Sequence, residues 1–141
     1  MKLNDKTSYI HHIFSALTSP SEIYQEIMRW GKRLPSFPHE ERVEENLVQG
    51  CQSQLYLETR FSEGLLHFNA ASDALISKGL ASLLVFYYSG ESPESVLKNK
   101  PSFLEELGII QSLSPTRAGG VASLYVMMQK RALAVLVSCQ T

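Results

Sequence analysis

Between residues 55 and 61 apolar and polar positions alternate along the chain. Leu55, Leu57, Thr59 and Phe61 fall on one side, and Tyr56, Glu58 and Arg60 on the other. A period of two is that of a half-buried β-strand. Ser62-Glu63-Gly64 supplies a turn, and Leu65 to Asn69 reads as the returning strand of a hairpin. Asn46 to Gln49 reads as a short third strand. Outside this middle region the period lengthens. Ile23, Ile27, Trp30 and Leu34 share one helical face, and so do Val121, Leu124, Tyr125, Met128, Ala132 and Val135. The stretch from Ala74 to about Tyr88 is apolar on most sides, which predicts a helix buried against the sheet, with Asp73 as its cap.

Three Ser-Pro pairs punctuate the helical regions. In Ser19-Pro20-Ser21-Glu22 a capping serine precedes a proline at the first helical position, and Glu22 stands where a capping box needs a carboxylate. Pro35 and Pro38 stop that helix. Ser92-Pro93 opens a short helix to about Leu97, and Ser114-Pro115 opens a long C-terminal one. Pro101 to Leu107 forms another short helix, stopped at Gly108. Gly79 implies close packing inside its helix, because a helical glycine costs about 1 kcal/mol against alanine. Gly119-Gly120 implies either a helix that begins after them or another backbone packed closely there.

With a further helix at about residues 7–17, the predicted order is two helices, a small antiparallel sheet of about three strands, then four helices. Strands grouped in the middle, with helices at both ends, define an α+β fold. The 141 residues are expected to form one domain, with a core over about residues 21–135. The first helix and the tail from residue 137 to 141 are expected at its periphery.

Composition narrows the function. Hydrophobic residues make up 44% and charged residues 19%, as in a globular core rather than a disordered chain. Thirteen basic against fourteen acidic side chains leave a net charge of -1, which argues against a basic nucleic-acid face or a polybasic membrane anchor. The longest apolar run, Leu83 to Tyr88, is too short to span a bilayer, and the first residues lack a signal peptide's apolar stretch. Two cysteines, Cys51 and Cys139, make no disulfide framework, so a cytoplasmic protein is expected.

Cys51 is the sharpest chemical feature. It follows Gly50, which permits a sharp bend, and precedes three polar residues, Gln52, Ser53 and Gln54. An inert cysteine usually sits in an apolar run, so a reactive thiol at a loop tip and an inert core cysteine both stand as readings. No second cysteine lies within four residues, which excludes a thioredoxin-type pair or a zinc knuckle. Leu57 stands where a tyrosine phosphatase loop needs arginine. A cysteine hydrolase needs a histidine base, and His11, His12, His39 and His67 are the candidates. Arg117 falls in the first turn of the last helix, where the macrodipole disfavours a cation. A guanidinium there either stabilises a thiolate, binds a partner's carboxylate or is simply solvated. Glu40, Glu41, Glu44 and Glu45 form an acidic run before Cys51, read as a solvated face or a docking surface. Cys139 reads as a frayed tail residue.

Four blocks, in order, resemble the SufE family of sulfur acceptors. They are Gly31-Lys32-Arg33-Leu34-Pro35, Gly50-Cys51-Gln52-Ser53-Gln54, Ser72 to Leu80, and Leu113-Ser114-Pro115-Thr116-Arg117 with Gly120. The resemblance runs from about Ser21 to Ala132. It departs from the family pattern at Tyr56, where Trp is common, at Thr116, and at Gly119-Gly120-Val121. It implies a fold shared with iron–sulfur scaffolds of the IscU/NifU type. It also implies a carrier in which Cys51 accepts persulfide sulfur from a pyridoxal-phosphate cysteine desulfurase of the SufS type, stimulates that enzyme and passes sulfur to SufB in the SufBCD scaffold. Pyridoxal phosphate then belongs to the partner, and this chain needs neither cofactor nor metal. Gly50, Gln52, Ser53 and Gln54 match the loop that presents the cysteine, and Asp73, Lys78 and Arg117 match polar positions of the pattern. The implied protein binds neither nucleic acid nor membrane and is a monomer or weak homodimer. A CsdA-type desulfurase as donor, a cluster scaffold, a cysteine hydrolase and a purely structural adaptor are the alternatives. A persulfide must be protected from water and small thiols, so Cys51 is expected to be partly sheltered and to swing out on Gly50 in a complex.

Overall fold

In a computed structural model the helices and strands follow as α1 (Leu3–Ser15), α2 (Pro20–Gly31), β1 (Leu55–Ser62), β2 (Leu65–Ser72), α3 (Leu75–Tyr88), α4 (Pro93–Lys98), α5 (Phe103–Glu106) and α6 (Pro115–Cys139). The described residues are 1–51 and 53–139, without the side chain of residue 139. The reading of Gln52 therefore lies outside them, and of Cys139 the backbone alone is described, as the last residue of α6. The architecture is α+β, a small antiparallel sheet packed by helices, as expected.

All three serine caps form. Ser19 Oγ accepts from the Glu22 N–H at 3.2 Å, Ser92 Oγ from Ser95 N–H at 3.1 Å, and Ser114 Oγ from Arg117 N–H at 3.3 Å. Each satisfies one of the donors that a helix start leaves open. The Glu22 carboxylate reaches one residue further back than a capping box does and takes the Thr18 N–H and hydroxyl.

The hairpin pairs Leu55 with Ser72 through to Ser62 with Leu65, so β2 runs three residues past the expected end at Asn69. Glu63 and Gly64 both have positive φ, 54° and 80°, as a two-residue turn of the type favoured by strand twist requires. Leu55, Leu57, Leu66, Phe68 and Ala70 are buried. Against them α3 packs on β2, α2 packs on α3, and α6 packs on α4, α3 and β1.

Four expectations need correction. The third strand shrinks to one bridge, Leu47 opposite Tyr56, beside a Val48 N–H to Leu55 O bond of 2.8 Å. Glu44–Asn46 forms a 3-10 turn instead. Asn46 Nδ2 donates to Glu41 O at 2.8 Å, and Arg131 donates to Glu45 O at 2.9 Å and Asn46 Oδ1 at 3.1 Å. These side-chain bonds bend the backbone out of ladder geometry. Second, Asp73 does not cap α3. The capping position is Ala74, with no side-chain cap, and the nearby Ala74 N–H goes to Ser72 Oγ at 3.3 Å. The strand's extension to Ser72 places Asp73 one residue before the cap, exposed.

Third, the first helix starts at Leu3 rather than about residue 7, and it is not peripheral. Ile10 and Phe14 enter the core, and the buried Lys6 ammonium donates to Tyr87 O, Ser89 O and Glu91 Oε2 at 3.2, 2.9 and 3.0 Å. Fourth, by length and composition alone α6 can cross a bilayer, which the short-run criterion did not anticipate. Here its Val121, Leu124, Met128 and Ala132 are buried in the core.

Gly79 shows the close packing expected of it. A Cβ there would lie 1.9 Å from Ile27 O, so α2 and α3 touch backbone to backbone at this point.

Candidate functional site

Cys51 lies on a loop whose ends are drawn together by the Val48–Leu55 backbone bond. Gly50 turns the chain with φ at +88°, a conformation side chains resist. A Cβ on Gly50 would also meet Ser123 Oγ of α6 at 2.8 Å, so the loop rests directly on that helix. One residue on, Cys51 is partly buried, and its Sγ sits 2.9 Å from where a Cβ of Gly120 would be. Gly119-Gly120 is thus inside the helix, and what packs closely at Gly120 is the cysteine sulfur rather than another backbone.

Beside the sulfur is a cavity of about 40 Å³, enclosed by Leu55, Leu80, Ala81, Val121 and Leu124, with Ser53, Ser77, Thr116 and Arg117 completing the lining. That exceeds the roughly 10–15 Å³ that one water-sized group requires. The five apolar side chains are 5% exposed or less, while Thr116 and Arg117 are exposed. The cavity is therefore apolar within and polar at its solvent side. Burial pushes the Cys51 thiol above its ordinary pKa, because the thiolate is the form that desolvation penalises. The Arg117 guanidinium at the solvent side does not reverse this. At neutral pH the isolated chain holds a protonated, sheltered thiol.

The other sequence candidates divide. Ser53 is beside the cysteine, its hydroxyl 3.1 Å from that of Ser77 on α3. Gln54 is exposed, and Arg117 joins the cavity. Lys78 instead lines a groove with Arg29, Lys32 and Leu75 between α2 and α3, and Asp73 is exposed before α3. In the Gly31–Pro35 block, Arg33 places its guanidinium 4.1 Å over the Trp30 ring, which is packing. Glu44 and Glu45 line a more open groove of about 430 Å³ with Leu47, Gln49, Ser123 and Val126, adjoining the cysteine loop. Ser77 and Leu80 lie in the Ser72 to Leu80 block with no individual role assigned from sequence, and Ser123 lies in none of the four blocks. Ser77 and Ser123 meet the loop from two different helices, Leu80 lines the cavity beside it, and no local pattern announces such a meeting.

No histidine belongs to the described lining of the cavity, and His11 faces Glu106 at 3.5 Å. The described lining thus holds no hydrolase base. Among the described residues no three His, Cys, Asp or Glu side chains gather as metal ligands, and a cluster scaffold would need such a set.

The site and fold define a small α+β domain built around one sheltered thiol. Residues 8–132 match the family described as SufE, Fe–S metabolism associated domain. An uncharacterized SufE-like protein of Synechocystis sp. is 35% identical over 121 residues, 86% of this chain and 76% of that one. In Arabidopsis thaliana, SufE-like protein 1, chloroplastic/mitochondrial, is 36% identical, and SufE-like protein 2, chloroplastic, is 29% identical. The matches cover 94% and 97% of this chain but 36% and 54% of those relatives. A solution structure of a hypothetical protein from Thermus thermophilus shares the fold, with a TM-score of 0.77, 24% identity and coverage of 94% of this chain and 96% of that one. The chain belongs to the SufE family, and its general role is sulfur transfer in iron–sulfur cluster assembly.

Proposed function

We propose that Cys51 is the sulfur-accepting residue and that the donor is a persulfide on a SufS-type cysteine desulfurase. The observation that carries this reading is the Cys51 Sγ, seated against Gly120 beside an apolar cavity with room for an added atom. In the reaction, the Cys51 thiolate attacks the outer sulfur of the donor persulfide. The bond between that sulfur and the donor cysteine breaks, and the donor leaves as a thiolate. Cys51 then holds the sulfur as its own persulfide.

Such exchange depends on thiolate fraction and on access. The resting chain limits both, since burial raises the Cys51 pKa. Docking must therefore draw the loop out, with Gly50 as the hinge, and the cavity shelters the transferred sulfur afterwards. Delivery to SufB of a SufBCD scaffold and work in the reducing cytoplasm complete the proposal, as does kinship in fold with the IscU/NifU scaffolds. A CsdA-type desulfurase is the second donor to try.

The test is desulfurase turnover, followed as alanine release from cysteine. Adding this protein should raise the rate, and Cys51→Ser should abolish the increase. Absence of stimulation with both desulfurase types would contradict the proposal.

A further inference from the structure

Among the described residues the cysteine loop is held in three ways. Its base is closed by the backbone bond between Val48 and Leu55, 2.8 Å long. Its tip rests on α6 through two contacts that involve no hydrogen bond, Gly50 on Ser123 and the Cys51 sulfur on Gly120. Its far arm is tied to α3 by the bond shared between Ser53 Oγ and Ser77 Oγ, at 3.1 Å. Among the described residues this is the one hydrogen bond between residues 49–54 and a helix. Ser77 sits in the first turn of α3, where its hydroxyl has no capping task, since the cap position is Ala74.

We infer that Ser77 is a positioning residue, which latches the Cys51 loop closed through Ser53 and so sets how often the thiol is open to attack. The sulfur-acceptor reading gives the latch its purpose, but the latch is tested without sulfur. With the base fixed and a left-handed hinge at Gly50, loss of the far-arm bond leaves, among the described residues, packing contacts but no hydrogen bond to a helix to hold the sulfur in. One net intramolecular hydrogen bond changes an open–closed equilibrium about five-fold. Arg117 is the one ionisable side chain besides Cys51 in the described lining of the cavity, so a change in the thiol's titration on unlatching reports solvent access.

The experiment is the rate of Cys51 alkylation by iodoacetamide as a function of pH, on the full chain. Ser77→Ala should raise the rate about five-fold at neutral pH and move the midpoint of the profile down, toward that of an ordinary thiol. Ser53→Ala should do the same, and the double variant should match either single one, because all three remove one bond. Ser77→Thr, which keeps the hydroxyl, should restore the slow rate. Thermal unfolding of each variant checks the fold, and Ser53→Ala reads the same bond from the loop if Ser77→Ala does not fold. Wild-type rates in both single variants, or effects that add in the double, would overturn the inference. Unlatching with no sulfur accepted from either desulfurase would overturn the acceptor reading and leave the latch standing.

Discussion

A methyl group added at Gly119 meets no heavy atom within 4 Å, whereas one added at Gly120 lies 2.9 Å from the Cys51 sulfur. Both glycines lie inside α6, where alanine is favoured by about 1 kcal/mol. Gly119→Ala is therefore expected to stabilise the protein by roughly 0.5–1 kcal/mol and leave the thiol unchanged. Gly120→Ala should gain the same helix preference but drive the sulfur from its seat, so the fold survives while alkylation of Cys51 quickens. Thermal unfolding and alkylation rates of the pair separate the two effects. The thiol's titration has a definite sign. Burial raises its pKa, so the proton is held to higher pH than in an unfolded chain. The alkylation rate of the wild type should reach its midpoint above the roughly 8.5 of an ordinary cysteine. A midpoint at or below that value would mean an activated thiol, and with it a different mechanism.

At the scale of elements, what the sequence reveals depends on whether the cause is local. The three Ser-Pro helix starts were legible because a serine cap and a proline act within one turn. The hairpin was legible because alternation and a Glu-Gly turn are local too. The third strand failed because Arg131, some 85 residues away in sequence, diverts Asn46. The α3 cap failed because the paired strand runs on to Ser72. In the site, Cys51 and Gly50 stood out by their neighbours, and Arg117 by breaking a helix rule. Ser77 carried no signal of its own, since its partner Ser53 is 24 residues earlier. The meeting of α2 with α3 yields a sharp expectation. Gly79→Ala places a methyl group 1.9 Å from Ile27 O, against backbone that has nowhere to go. It should destabilise by roughly 3 kcal/mol, at the upper end for overpacking, as read by denaturant unfolding.

For the whole molecule, the helices that build the core also build the site. The apolar face of α6 that buries Val121, Leu124 and Met128 also carries the Gly120 notch, and α3 supplies Leu80, Ala81 and Ser77. The sulfur seat is therefore built from core residues, while the loop above it is closed by a few contacts. The α1 strap belongs to the same core. Lys6→Ala should cost about 3 kcal/mol by leaving the Glu91 carboxylate and two carbonyls without their cation. Sulfur acceptance should persist as long as the fold does, which unfolding and loading assays on that variant would check.

The most direct measurement is the intact mass of the protein after incubation with a cysteine desulfurase, pyridoxal phosphate and cysteine, with peptide mapping and Cys51→Ser as control. The expected result is the mass of added sulfur, located at Cys51, removed by reductant and absent from the control. No added sulfur beside desulfurases shown to be active, or sulfur located elsewhere in the chain, would contradict Cys51 as the acceptor.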